Sequence, residues 1–140
     1  MNNSYQTPYD YLGDEGVRRL VDAFYDAMDA LPEAAEVRAM HAKDLTKVRK
    51  ALTNYLTTWL GGPPVYVAIK GSMCLTDAHA PFVIGPNARD QWLLCMEHAL
   101  EQTAAPADLR DMLREPLSRV ADAVQNSPTD APSMRIIARG

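Results

Sequence analysis

The chain has 140 residues, of which 47% are hydrophobic and 23% charged, with a formal net charge of -4. That length holds one packed domain and needs no disulfide scaffold, and the apolar content excludes a disordered chain. The acidic balance argues against nucleic acid or an anionic membrane surface as the main partner.

The punctuation and periodicity predict helices. Val17, Leu20, Val21, Phe24, Met28 and Leu31 recur at helical steps after Gly13-Asp14, with Asp14 the expected N-cap and Pro32 the stop. A short helical piece is expected from Pro32 to Met40, with the proline in its first turn. Leu45, Val48, Leu52, Tyr55, Leu56 and Trp59 predict the next long helix, ended by Gly61-Gly62-Pro63-Pro64. Val65 to Ile69 alternates like a strand but has no partner strand, so it reads as the end of a loop or a helical turn. A fourth segment begins near Pro86 and carries Trp92, Cys95, Met96, Ala99 and Leu100. A fifth follows Pro106 through Leu109, Met112, Leu113, Leu117, Val120 and Val124, and Pro116 inside it predicts a kink or a restart. Beyond Asn126 the polar, proline-spaced tail reads as loose. The fold class is all-α: four main helices and short pieces, with a domain over 1–128 and a loose tail over 129–140.

The inventory of soft ligands is small: His41, His79, His98, Cys74 and Cys95. No C-x-x-C pair and no H-x-x-x-H helix face occurs, which leaves no set for a structural or zincin-type zinc. The two cysteines are expected as buried thiols in a reduced compartment. Met1 to Leu12 lacks the basic and apolar regions of a signal peptide, and no apolar run approaches the roughly 20 residues of a membrane span. The location expected is the cytoplasm. No nucleophile elbow, Walker loop or dinucleotide fingerprint is present, and Gly61-Gly62 is followed by prolines that lack the N–H donors of a phosphate cradle.

Four residues carry candidate chemistry. His79, in Ala78-His79-Ala80-Pro81-Phe82-Val83-Ile84-Gly85, is either a satisfied histidine or one axial ligand to a cofactor metal. Haem suits the second reading, since it asks the protein for one imidazole and an apolar slot. Tyr25 is either a boundary tyrosine or a hydroxyl donor to a polar ligand. Trp92 is either core packing or an indole N–H donor. His41 is either a helix-terminal histidine or part of the same constellation.

Four stretches, in order, resemble the group II truncated haemoglobins. They are Gly16-Val17-Arg18-Arg19-Leu20-Val21 running into Phe24-Tyr25-Asp26, then Trp59-Leu60-Gly61-Gly62-Pro63-Pro64 with Tyr66, then His79-Ala80-Pro81-Phe82-Val83-Ile84, and Arg89-Asp90-Gln91-Trp92-Leu93-Leu94-Cys95-Met96. The resemblance spans residues 9 to 126 and implies a two-over-two helical sandwich around haem b. It matches His79 to the proximal iron ligand, and Tyr25 and Trp92 to distal donors. His41 matches a corner position that also meets the ligand or approaches the iron. Val48 and Leu52 match the apolar distal face, Phe24, Leu56, Phe82, Ile84 and Met96 the pocket lining, and Tyr66 the haem edge. The approach to His79 departs from the family, which carries arginines there. This chain has Ser72 to Ala78, with Asp77 expected to repel the haem propionates and Lys47, Arg49 or Lys70 left to compensate.

The resemblance implies a protein that reversibly binds dioxygen, nitric oxide or carbon monoxide at the iron, with a reductase as a partner, as a monomer or weak homodimer. The pattern of donors favours retention or redox chemistry over fast transport. Nitric oxide dioxygenation or peroxidase-like turnover is the enzymatic alternative, and a helical interaction module without haem is the rival from another class.

Overall fold

A computed structural model describes residues 7–75, 79–103 and 105–130. Among the described residues six α-helices and one 3-10 turn can be delimited, and no strand occurs there. Helix α1 spans Pro8–Ala30, followed by the 3-10 turn Pro32–Ala34 and α2, Ala35–Ala39. Then come α3, Thr46–Trp59; α4, Val65–Lys70; α5, Pro86–Gln102; and α6, Ala107–Val124. None of these helices is long and apolar enough to cross a membrane.

Helix α1 starts earlier than the periodicity predicts. Thr7 is its N-cap and forms a capping box with Asp10: the Thr7 hydroxyl accepts from the Asp10 amide and the Asp10 carboxylate from the Thr7 amide, each at 3.1 Å. The expected cap, Asp14, instead accepts a hydrogen bond from the Tyr9 hydroxyl at 2.5 Å. Between the two lies Gly13 at φ 68°, ψ 176°, a conformation essentially confined to glycine, which kinks the helix. The long arm beyond it buries Val17, Leu20, Val21, Phe24, Tyr25 and Met28 on one face, as its spacing requires.

Helix α1 packs against α3 and α5, α3 also against α4, and α5 against α6, so two pairs of long helices lie one over the other. Phe24, Met28, Met96, Leu100, Val17, Val21 and Cys95 fill the center. Val65–Lys70 is a full short helix: Thr58 Oγ1 takes the Tyr66 amide at 3.0 Å, and Gly71 at φ 86° closes the end. Helix α6 runs through Pro116 without a restart. The carbonyl that loses its donor belongs to Met112, which is 54% exposed and not part of the buried stripe its spacing predicts. Neither cysteine forms a disulfide. Cys95 is buried as expected, with its thiol pushed up to about 11 by desolvation, but Cys74 is exposed on the loop after α4.

The tail is less loose than its composition implies. Asn126 and Ser127 amides both donate to the Ile84 carbonyl, at 2.9 and 3.2 Å, and Asp130 accepts from the Asn87 amide at 2.8 Å. Residues 131–140 lie outside the described residues.

Candidate functional site

The two helix pairs enclose an apolar cavity of about 380 Å³, inside the range of roughly 300–1,000 Å³ typical of small-molecule sites. Its walls come from α1 to α6 and the segment 79–84. Helix α3 contributes Val48, Leu52 and Leu56. Tyr66, Phe82 and Ile84 also line it, while Phe82 stays 41% exposed at the rim.

Two residues expected in the lining stand elsewhere. Phe24 and Met96 lie in the core and not in the cavity wall. Phe24 is wholly buried and backs the wall through edge contacts with Tyr25 (ring centroids 4.8 Å) and Trp92 (5.4 Å). A core position on an amphipathic helix has the same periodicity as a pocket position, so spacing does not separate them. The converse miss is α6, whose Leu117, Val120, Ala121 and Val124 form a wall that periodicity reads simply as core. Tyr55 is another missed lining residue. It meets Tyr66 edge-on at 5.0 Å, and burial raises its pKa.

The polar members of the wall are few. Tyr25 and Trp92 both line the cavity, and among the described residues neither the Tyr25 hydroxyl nor the Trp92 indole N–H has an acceptor in the protein. Burial raises the Tyr25 pKa, against the opposing charge of Arg49, so the phenol keeps its proton. Arg49 itself sits over the Tyr25 ring, 5.6 Å from its centroid, and is held by Asp22 at 2.9 Å and Asp26 at 3.2 Å.

Both histidines of the cavity are locked in the same way. His79 Nδ1 lies 2.7 Å from the Leu75 carbonyl and His41 Nδ1 lies 2.8 Å from the Val37 carbonyl. A carbonyl only accepts, so in each ring Nδ1 carries a proton, and in a neutral ring that leaves Nε2 as the acceptor. His41 lies beside Tyr25, with ring centroids 5.8 Å apart. Burial, its largest cause, lowers the His41 pKa, and nearby positive charge adds to this. Neutral His41 therefore meets a ligand through an acceptor nitrogen, and the donor role expected of it requires a second proton. The α2 helix that presents it is tied to α5, where Gln91 Oε1 accepts the Val37 amide at 2.9 Å.

The cations expected to compensate near His79 do not reach the cavity: Lys47, Arg49 and Lys70 are absent from its wall. Arg89 is the one lysine or arginine among the described lining residues, and it is paired with Asp90 at 2.7 Å and Asp122 at 3.0 Å. Thr76, Asp77 and Ala78 lie outside the described residues, so the expected effect of Asp77 has no structural counterpart.

The family profile of the bacterial-like globins matches residues 7–126. A curated relative, the group 2 truncated hemoglobin YjbI of Bacillus subtilis, is 33% identical over 113 residues, 81% of this chain and 83% of the relative. The chain belongs to the bacterial-like globins, as a group II truncated haemoglobin. Solved structures agree. The group II 2-on-2 hemoglobin from Agrobacterium tumefaciens is 43% identical with a TM-score of 0.82, over 90% of this chain and 98% of that one. The cold-adapted truncated hemoglobin of the Antarctic bacterium Pseudoalteromonas haloplanktis TAC125 is 33% identical with a TM-score of 0.83, over 87% and 99%. This truncated haemoglobin therefore has the two-over-two fold that the resemblance implies.

The family implies haem and the binding of diatomic gases, and the residues present fit that group. The cavity is large and apolar, as a porphyrin face requires. His79 lines it with Nδ1 committed to a carbonyl, so Nε2 is the ring nitrogen left for a metal.

Proposed function

We propose that this truncated haemoglobin binds haem b through His79 Nε2 and retains dioxygen, or another diatomic gas, by hydrogen bonding. The observation that carries the reading is a pair of donors with no acceptor among the described residues, the Tyr25 hydroxyl and the Trp92 N–H, in a wall that is otherwise mostly apolar. When bound, haem supplies an iron that takes one imidazole from the protein and leaves one position for a gas.

The chain's own residues do the rest. The Leu75 carbonyl fixes the His79 tautomer and orients its ring. Val48 and Leu52 keep water from the distal side and offer no competing hydrogen bond. Tyr25 and Trp92 donate to partial negative charge on a held ligand, in a dry site where such bonds are stronger than in water. Each donor slows escape more than it speeds arrival, because affinity differences within one site reside mostly in the off-rate. That balance supports retention, or redox chemistry with a reductase in the cytoplasm, over rapid transport.

The test is reconstitution with hemin followed by stopped-flow oxygen release. A Soret band that His79→Ala abolishes, with release slower in the wild type than in Trp92→Phe, is the expected result. A band indifferent to His79 overturns the ligand assignment, and equal release rates overturn the retention role.

A further inference from the structure

We propose that Asn126, at the end of α6, is a positioning residue for His79, and that residues 126–130 clasp the segment that carries it. The proposal rests on the reading of His79 as the haem ligand. His79 is helical and residues 80–84 are turn and coil, with one turn bond, the Phe82 amide to the His79 carbonyl at 3.0 Å. Its remaining polar backbone needs partners from elsewhere.

Asn126 supplies them from one side chain. Its Oδ1 accepts the Ile84 amide at 2.9 Å, while its Nδ2 donates to the Phe82 carbonyl at 2.8 Å and the His79 carbonyl at 3.4 Å. An amide N–H only donates and carbonyls only accept, so the orientation of the Asn126 side chain is forced. The Ile84 carbonyl in turn accepts the Asn126 and Ser127 amides. Both backbone polar groups of Ile84 are thus met by the end of α6, and the carbonyl of His79 is held from the same point.

The clasp continues along the chain. Asp130 accepts the Asn87 amide at the start of α5, and Ser127 Oγ donates to the Thr129 carbonyl at 2.7 Å. Gly85 leaves the room this requires: a Cβ there would stand 2.3 Å from the Thr129 oxygen. Residues 126–130 therefore hold the backbone of 79–84 and the adjoining start of α5 from one distant point in the sequence. Aspartate, serine or alanine at 126 lacks either the amide donor or the reach to complete both halves.

Asn126→Ala removes both halves of the side-chain contact, and Asn126→Asp keeps an acceptor for Ile84 while losing the donor to Phe82 and His79. The experiment reads three things in the reconstituted ferrous protein: the iron–histidine stretching band, the rate of hemin loss to apomyoglobin, and exchange of the Ile84 amide. Both variants are expected to shift the band and to speed hemin loss by roughly tenfold, the usual size for a group that orients a metal ligand. Ile84 protection is expected to fall in the alanine variant and to persist in the aspartate variant. A wild-type band and loss rate in both variants overturns the positioning role, whatever the exchange shows. A wild type without a Soret band overturns the haem reading itself, which the Asn126 variants alone cannot do.

Discussion

The Nδ1 of His41 stands 2.8 Å from the Val37 carbonyl, the same arrangement that joins His79 to Leu75 in the same cavity. The consequence for His41 is a pH dependence. Burial holds its pKa below the ordinary 6.5, so near neutrality its Nε2 is bare and donates nothing. Protonation at lower pH adds a donor. Oxygen release is expected to slow as pH falls through that lowered value, and His41→Leu to flatten the profile; a wild-type rate flat across that window would refute it. Stability moves the other way. The fold favours neutral His41, so its contribution is complete above 6.5 and is lost as pH falls through the folded value.

Tyr25 and Trp92 should behave differently, because neither donor titrates in that window: burial raises the tyrosine pKa and the indole N–H is permanent. Tyr25→Phe and Trp92→Phe are each expected to speed oxygen release at every pH. A hydrogen bond to a charged acceptor is worth about 1.5–3 kcal/mol, which sets the scale at roughly tenfold or more per donor. Stopped-flow release across pH separates these terms from that of His41. A Tyr25→Phe effect confined to acid pH would assign the donor to the histidine instead.

Gly13 offers a test of the fold away from the site. A Cβ there meets nothing within 4 Å, so space does not forbid a side chain. The backbone at φ 68°, ψ 176° does. Gly13→Ala is expected to lower the unfolding free energy by roughly 1–3 kcal/mol, the cost of holding a residue in a sparsely populated region. Denaturant titration of the reconstituted protein measures it, and an unchanged midpoint would mean the kink relaxes at no cost.

Much of the fold was legible because long amphipathic helices announce themselves. The periodicity of Val17 to Met28 and of Leu45 to Trp59 marks the faces that are buried, and Pro86 and Pro106 mark where α5 and α6 begin. The pattern is ambiguous where one residue type serves two purposes. Gly13-Asp14 has the composition of a helix boundary, yet the chain uses it as a kink inside α1. Val65 to Ile69 alternates like a strand but lacks a partner, which leaves a loop end or a helical turn; a hydroxyl from Thr58 and a glycine at 71 make it a short helix. His79, Tyr25, Trp92 and His41 do converge on one cavity, as the resemblance implies. The tautomer locks depend on carbonyls one helical turn back, which side-chain identity does not reveal. The role of Asn126 depends on contacts to residues more than forty positions away, which no local pattern encodes.

Gly85 is where local and distant structure meet, and it yields the last prediction. Its φ of -101° suits any residue, so backbone strain is not the issue. The obstacle is contact: a Cβ would lie 2.3 Å from the Thr129 oxygen and 2.7 Å from the Asp130 Cα. Both are backbone atoms, unable to rotate aside as a flexible side chain does. Gly85→Ala must push residues 129 and 130 away, loosening the bond from the Asn87 amide to Asp130. The expected cost is roughly 1–3 kcal/mol, the range for overpacking a filled site, with faster exchange of the Asn87 amide. If stability falls while that amide stays protected, the strain has been taken up in α5 and the 126–130 segment is not the element displaced.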